Sequence, residues 1–214
     1  AHPPTHVAYG PWGHRVDAVV TSPAWQGLKK VAAENRLVAA GYDDVLGDRA
    51  RVVQAALLHL YSASSATFAC PVAMSDAAAR VLKEMAPAAL RDRLLPRLCS
   101  SDVDTNITSG QWMTETTGGS DVGQTETIAR WTNDDGDLRH FRLYGKKWFT
   151  SSVTSEMALA LARIEDTDGN TVPGSRGLTL FCVEIVRDPD GTMHDIEVLR
   201  LKDKLGTKAL PTAE

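Results

Sequence analysis

The chain has 214 residues and a formal net charge of −4 at pH 7, and 23% of its residues are charged. This length suits one large domain or two small ones with a buried core. The acidic balance excludes a basic surface for nucleic acid over the chain as a whole. The cysteines, Cys70, Cys99 and Cys182, are far apart and odd in number. They favour reduced thiols in an intracellular compartment, with the cytoplasm, the mitochondrion and the peroxisome left open.

Two further classes of protein are disfavoured. The most apolar segment, residues 52–74, is interrupted by Gln54, His59 and Pro71, so it predicts buried helix and no bilayer crossing. The six histidines show no metal-ligand spacing with one another or with the cysteines, so no metal site is predicted.

The first half, up to about Ser109, has a helical pattern. Ser22 and Pro23 predict an N-cap followed by proline in the first helical position, and Gly41 is a plausible stop. A second helix is predicted from near Asp48. Its apolar side chains are expected to face a core: Val52, Val53, Ala56, Leu57 and Leu60.

Two more helices complete this half. The third is predicted to be capped by Ser75 and Asp76 and to end at Pro87. The fourth covers residues 88–95 and ends before Pro96.

From Gly110 onward the pattern changes to strands and turns. Strands are predicted over residues 125–131, 138–144, 157–163, 177–186 and 196–201, with turns at 133–137, 166–170 and 188–191. Helices first and antiparallel strands second is an α+β arrangement. We therefore predict an all-helical domain over residues 1–108 and an antiparallel β domain over 109–214, built as two small sheets or a flattened barrel.

Two short segments contain the chemistry. Residues 113–123 read MTETTGGSDVG and residues 145–150 read GKKWFT. Gly118 and Gly119 alone would indicate a tight turn. The segment is neither a P-loop nor a Rossmann glycine pattern, so any cofactor it holds is expected to be bound by a loop of the β domain. A Thr/Gly/Ser loop offers backbone N–H groups and hydroxyls to an anionic ligand.

In this order and spacing, the two segments resemble the flavin-binding middle domain of the acyl-CoA dehydrogenases. A third segment, KLGTK at 204–208 followed by Thr212, resembles the Lys-x-Gly-x-Arg…Thr pattern of that family. In the first half, PP at 3–4, GHRVD at 13–17 and PAW at 23–25 resemble the branch named for the adaptive response to alkylation, the AidB type.

The resemblance implies FAD as cofactor. Met113 and Thr114 would line the pyrimidine end of the flavin, and Gly119 and Ser120 would contact the pyrophosphate. The resemblance also places Ser120 at the acyl-CoA entrance. The other cofactor residues it implies are Trp148 against the ring, Phe149 beside it, and Thr150 near flavin N5.

The sequence departs from the family pattern at three points. Thr116 and Thr117 stand where the family commonly has Pro-Gly, which suits the AidB type. Lys208 stands where the family usually has arginine, and lysine lacks the planar guanidinium that can donate two parallel hydrogen bonds. The family's catalytic glutamate comes from a C-terminal helical bundle, which we expect to be missing here. No catalytic residue is therefore assigned in this chain, and Glu115 is interpreted as a salt bridge or turn contact.

The implied function is FAD-dependent α,β-desaturation of an acyl-CoA thioester, with hydride transfer to flavin N5. The fragment alone is expected to be inactive, and the family implies a homotetramer; the electron acceptor is left open. The alternative is an acyl-CoA- or DNA-binding flavoprotein of the alkylation-response type, which would bind nucleic acid through the missing C-terminal domain. An unrelated α+β domain stays open as a third reading.

Overall fold

The computed structural model describes residues 2–65, 67–189 and 191–214. Ala1, Ala66 and Asp190 lie outside the described residues, and Asp190 belongs to the predicted turn at 188–191. The described residues form four α-helices and nine β-strands. In chain order these are β1 (Thr5–Tyr9), β2 (Arg15–Val20), α1 (Pro23–Glu34), α2 (Ala50–Ser62), α3 (Ala69–Met85), α4 (Ala88–Leu98), β3 (Ser109–Trp112), β4 (Ile128–Asp135), β5 (Leu138–Tyr144), β6 (Thr150–Ser151), β7 (Met157–Ile164), β8 (Leu178–Glu184) and β9 (Thr212–Ala213).

The first half is not all helical, because it opens with an antiparallel hairpin of β1 and β2. Asp17, in β2, is buried at 4% exposure, and its carboxylate accepts a hydrogen bond from the Val198 backbone N–H at 3.1 Å. Arg15 donates to the Val198 carbonyl at 2.9 Å. The hairpin is therefore anchored on the second half of the chain, a long-range contact that local pattern does not predict.

Helix α1 begins as predicted. The Ser22 hydroxyl accepts from the Trp25 N–H at 3.2 Å and Pro23 occupies the first turn. The helix ends at Glu34 and does not reach Gly41. The reason is Arg36, whose φ of 57° lies in the left-handed region and cannot continue a right-handed helix.

The predicted cap at Ser75 and Asp76 is wrong, because α3 begins earlier, at Ala69. Ser75 is buried inside the helix, where its hydroxyl donates to the Pro71 carbonyl at 2.8 Å and accepts from the Ser109 N–H at 3.0 Å. Its hydrogen bonds therefore join α3 to β3. The predicted end of α4 before Pro96 is also wrong, since the helix runs on to bury Leu98.

The strands of the second half form one seven-stranded sheet in the order β5-β4-β7-β3-β6-β9, with β8 on the other edge of β7. β3 and β4 share one edge of β7 and run parallel to it, whereas β8 runs antiparallel. The predicted purely antiparallel pair of sheets or barrel is therefore corrected to a mixed sheet. The predicted strand at 196–201 is reduced to an isolated bridge between Leu201 and Ala213.

Strand β7 lies in the interior of the sheet, and both of its faces are buried. Met157 and Leu159 face α3 and α4, whereas Ala158 and Ala160 face the opposite core, which contains Trp112. Alternating large and small residues on one strand therefore serve two cores of different depth. This position fixes the ends of β7, and with them the loops of the candidate site.

Helix α2 turns only some of the predicted apolar side chains toward a core: Leu57 packs against the core that contains Trp25, but other predicted positions face solvent. Val52 is 70% exposed and Leu60 is 73% exposed, whereas Gln54 is buried at 3%. Gln54 faces inward because its amide nitrogen donates to the Leu37 carbonyl and to the Asp76 carboxylate, each at 3.0 Å. A polar side chain with several partners therefore sets the orientation of this helix.

A pair of truncations separates the core from this exposed face. Leu82→Ala should lower the free energy of unfolding by about 2–5 kcal/mol, because it leaves a cavity at a fully buried position. Val52→Ala removes a side chain that is mostly in solvent and should change it by about 0.5 kcal/mol or less. Urea denaturation of the two variants measures both values. Equal losses would contradict the orientation of α2.

Candidate functional site

The structure brings the two motif segments together. The Trp148 backbone N–H donates to the Thr114 carbonyl at 2.9 Å, so the segments 113–123 and 145–150 lie side by side. The intervening chain is the hairpin of β4 and β5, which returns to its starting point. Position 145 requires glycine, because a Cβ there would lie only 2.7 Å from Thr127 Cα.

Glu115 is buried at 4% exposure and forms an ion pair with Lys147 at 2.6 Å. Its carboxylate also accepts from the backbone N–H groups of Glu126 and Thr127, at 2.6 and 3.2 Å, and from the Thr127 hydroxyl. Lys147 in turn donates to the Leu161 carbonyl at 2.7 Å. The interpretation of Glu115 as a salt bridge is confirmed, and this ion pair joins one motif to the other.

The two partners of this ion pair are shifted in the same direction for opposite reasons. Burial alone would raise the pKa of Glu115, but the hydrogen bonds from Lys147, Thr127 and Glu126 outweigh it and hold the pKa below its ordinary value. Burial lowers the pKa of Lys147, against the attraction of Glu115. The shift of Glu115 favours the charged pair and that of Lys147 opposes it. The carboxylate side prevails, because it accepts four hydrogen bonds whereas the ammonium makes two.

The glycine-rich loop is compact at its start and open afterwards. Glu115 and Gly118 exchange backbone hydrogen bonds at 3.2 Å, and an added Cβ on Gly118 would lie 2.8 Å from the Asp121 carbonyl oxygen. Gly119 and Ser120 are exposed. Within the described part of the chain, their N–H groups donate to no protein acceptor. The loop therefore presents free donors, which is the property an anion-binding loop requires.

Trp148 is half-buried and surrounded by cations. The Lys202 ammonium lies 3.2 Å from the ring centroid, and Lys146 and Arg200 lie 5.5 and 5.7 Å from it. A cation at this position attracts the ring through its quadrupole. The ring is therefore held in place from the Lys202 side.

All three cations also contact Glu214. Arg200 and Lys202 lie 2.7 and 2.9 Å from its carboxylate, and Lys146 lies 3.3 Å from it. Burial would raise the pKa of Glu214, but the hydrogen bonds from Lys202, Arg200 and Lys146 bring it down to about 2. The sequence pattern did not single out this cluster. The sequence feature that could have indicated it is the run of basic residues from 200 to 208, but such a run more commonly forms a solvated face.

Thr150 is buried at 7% exposure in β6, and its hydroxyl donates to the Ala213 carbonyl at 2.9 Å. Its lone pairs are left as acceptors. Thr150 lines a groove of about 460 Å³ whose other walls include Trp112, Lys146 and Glu214. Met113 lies apart from this groove and packs against the core under α3 and α4. The predicted site residues thus occupy connected positions but do not all line one cavity.

Within the described ranges, no group of three or more His, Cys, Asp or Glu side chains could hold a metal ion. In the same ranges, no helix is both long and apolar enough to cross a bilayer.

The ion pair gives a stability prediction. Glu115→Gln and Lys147→Met should each lower the free energy of unfolding by about 3–5 kcal/mol, because each leaves a buried group without its partner. The double variant should lose less than the sum of the two. Because the folded-state pKa of Glu115 lies below the unfolded value of about 4.3, its stabilisation is present above that pH and is lost as the pH falls through the folded value.

The control is Glu165→Gln, which breaks the exposed Arg130–Glu165 pair of the same length, 2.6 Å. It should cost about 1 kcal/mol or less. Denaturant unfolding between pH 7 and pH 3 measures all four variants against the parent protein. Strict additivity of the Glu115 and Lys147 variants would show that the pair is not coupled.

The comparisons with known proteins agree with this arrangement. A family model described as "Acyl-CoA dehydrogenase, middle domain" matches residues 110–214. A second, "Adaptive response protein AidB N-terminal domain", matches residues 1–105. The chain is 44% identical over 208 residues to "Acyl-CoA dehydrogenase family member 11" of Caenorhabditis elegans, covering 95% of this chain and 33% of that protein.

It is 33% identical over 222 residues to "Putative acyl-CoA dehydrogenase AidB" of Escherichia coli strain K12, covering 100% of this chain and 38% of that protein. Among solved structures, C. elegans ACDH-11 in complex with C11-CoA superposes with a TM-score of 0.90 at 42% identity. That match covers 99% of this chain and 36% of that one. The chain thus spans somewhat more than a third of the length of these relatives. It belongs to the acyl-CoA dehydrogenase family, and its first half is of the AidB type.

Proposed function

We propose that this chain forms the cofactor-binding part of an FAD-dependent oxidoreductase that desaturates an acyl-CoA thioester between its α and β carbons. Family membership supports the reaction class. The observation that carries the proposal is the hydrogen bond from Trp148 to Thr114, which makes the two motifs one continuous surface. FAD, when bound, would supply the acceptor for the hydride that leaves the β-carbon.

The residues present fit such a cofactor. The free N–H groups of Gly119 and Ser120 suit the pyrophosphate, because two negative phosphates need donors without other partners. The Trp148 ring, held by Lys202, suits contact with the flavin. Hydrogen-bond donors at Met113 and Thr114, namely backbone N–H groups and the Thr114 hydroxyl, would stabilise the negative charge that develops on a flavin as it is reduced. Phe149 is 38% exposed beside Trp148 and would extend the aromatic contact.

Thr150 would act toward the cofactor as an acceptor. Its hydroxyl proton is already donated to the Ala213 carbonyl, so its lone pairs are what remain for a partner. A hydroxyl fixed in this way prefers a partner that carries a hydrogen. The reduced flavin meets this requirement, because its N5 carries a hydrogen, whereas N5 of the oxidised flavin is itself an acceptor. Thr150 would therefore stabilise the reduced cofactor, near the atom where the family resemblance places this residue.

The proposed substrate is an acyl-CoA, in keeping with the C11-CoA in the crystals of ACDH-11. Ser120 is exposed at the loop and would border its entrance. We assign no catalytic base in this chain, because the two carboxylates of the first motif are already engaged: Glu115 accepts from four donors, and Asp121 accepts from the Gly123 N–H of its own loop. The base would come from a C-terminal helical bundle outside these residues. We further propose a homotetramer in an intracellular compartment.

The proposal predicts a yellow protein. Intact protein should release FAD on denaturation, and its flavin absorbance should bleach when an acyl-CoA is added. Thr150→Val should slow this bleaching and lower stability by about 1–2 kcal/mol, because it removes the hydroxyl and its hydrogen bond to the Ala213 carbonyl. Stopped-flow absorbance with acyl-CoAs of graded length measures the rate and also reports the preferred chain length.

Thr150→Ser is the matched control, since it keeps the hydroxyl and should bleach faster than the valine variant. A colourless protein that does not take up added FAD would contradict the proposed function. A valine variant that bleaches at the parental rate would contradict the role of Thr150 alone.

A second candidate function is an acyl-CoA- or DNA-binding flavoprotein with little or no dehydrogenase activity. The observation that favours it is the AidB-type first half. The net charge of −4 lends DNA binding no support within this chain, so any duplex would bind outside these residues.

The two functions predict opposite results with duplex DNA. If the dehydrogenase function is correct, the intact protein should give no gel shift at about 0.15 M salt while its flavin bleaches with acyl-CoA. A shift that is lost steeply between about 50 and 200 mM salt, without bleaching, would favour the binding function.

A further inference from the structure

Arg163 is a buried cation held only by backbone carbonyls. It lies in the central strand β7 and is 6% exposed. Its guanidinium donates to four carbonyl oxygens at 2.6–2.7 Å: those of Gly123, Thr125, Val172 and Gly174. Four of its five N–H donors are thus used, but the charge is not neutralised.

Within the described ranges, no carboxylate lies at ion-pair distance from Arg163. Lys147, on the same sheet, has Glu115 as its partner. A buried charge without a counter-charge is costly, because carbonyl dipoles only partly replace water. An anion that binds nearby would offset part of this cost. The protein therefore keeps a positive charge beneath the carbonyls that Arg163 contacts.

Two of those carbonyls belong to the end of the glycine-rich loop. Gly123 and Thr125 lie three and five residues after the exposed Ser120. The start of the same loop is fixed by Glu115, whose partner Lys147 donates to the Leu161 carbonyl, two residues before Arg163 on β7. One strand therefore anchors both ends of the loop.

We propose that Arg163 is a positioning residue that shapes residues 119–123, and that its unpaired charge makes this loop select ligands carrying phosphate groups. The inference rests on the proposed function in one respect: it takes the FAD pyrophosphate as the ligand. Arg163 does not touch the ligand. It acts through the loop backbone and through its electrostatic field.

Arg187 provides a matched control. It is also held by carbonyls, donating to Ser155 and Val153 at 3.1 and 2.9 Å, and burial lowers its pKa. Its contacts lie after β6 and away from the glycine-rich loop. Arg187 is only partly buried, whereas Arg163 is buried. Arg187→Met therefore removes a second carbonyl-bound cation whose contacts are outside the proposed ligand loop.

The test compares FAD with riboflavin, which has the same ring and no phosphate, on the intact protein freed of flavin. Arg163→Met should weaken FAD by about tenfold or more, the effect of one unit charge at close range, and riboflavin much less. Added NaCl should weaken FAD binding to the parent protein more than to this variant. Arg187→Met should leave the ratio of the two affinities unchanged.

Arg163→Lys keeps the test decisive if the methionine variant does not fold. Lysine retains the charge at neutral pH but loses it as the pH rises, whereas arginine does not. The preference for FAD over riboflavin should therefore fall more between pH 7 and pH 9.5 in Arg163→Lys than in the parent protein, which shares the contribution of Lys147. An equal change in both proteins would overturn the proposal.

Inorganic pyrophosphate separates this inference from the proposed function. Parent protein that is thermally stabilised by pyrophosphate but binds no FAD would retain the role of Arg163 and contradict the flavoprotein assignment. A second outcome is that the parent protein binds FAD but Arg163→Met weakens the affinities for FAD and riboflavin equally. That result would support the flavoprotein assignment and overturn the selective role of Arg163. An Arg187→Met variant with the same selective loss would also overturn it.

Discussion

The buried ion pair between Glu115 and Lys147 is the constraint on which the site depends. A carboxylate and an ammonium enclosed together must be matched in geometry, because either one alone would be a buried unpaired charge. The pair joins the glycine-rich loop to the tryptophan segment, and Lys147 ties both to the Leu161 carbonyl on β7. The site therefore has its shape before any ligand arrives, which reduces the ordering cost of binding.

The central strand makes this possible. β7 is covered on both faces, so it moves little relative to either core, and the anchors at Leu161 and Arg163 inherit that rigidity. The first half contributes through α3, whose Ser75 contacts Ser109, and through the hairpin of β1 and β2, whose Asp17 contacts Val198. The glycine-rich loop is thus supported by a strand that is buried on both faces, as precise ligand binding requires.

Local pattern in the sequence predicted the elements whose causes are local. The cap at Ser22, the hairpin of β4 and β5 and the central strand β7 follow from capping, turn residues and alternation. The errors have long-range causes: Ser75 is drawn into α3 by its contact with Ser109, and Gln54 turns α2 by bonding to Leu37 and Asp76. The parallel pairing of β3 with β7 likewise depends on chain crossing, which no local pattern records.

The site divides in the same way. The loop, the tryptophan and Thr150 were identified by resemblance, and Glu115 by weighing its ordinary role. The sequence did not indicate Arg163 and Lys202. Arg163 matters because it lacks a counter-charge, and Lys202 matters because it covers the face of an aromatic ring. Neither property is visible in a residue's neighbours along the chain.

The hairpin of β4 and β5 has a consequence for how such chains vary in length. Its tip, residues 130–137, is fully exposed, and its base delivers Lys147 to Glu115. Side chains on a strand alternate between faces, so adding or removing one residue between the paired base of β5 and Lys147 would reverse the face that the lysine occupies. Residues added at the exposed tip leave the pairing of Ile128 with Tyr144 unchanged. Natural variants of this hairpin should therefore vary in length at the tip, while the spacing from Tyr144 to Lys147 stays fixed.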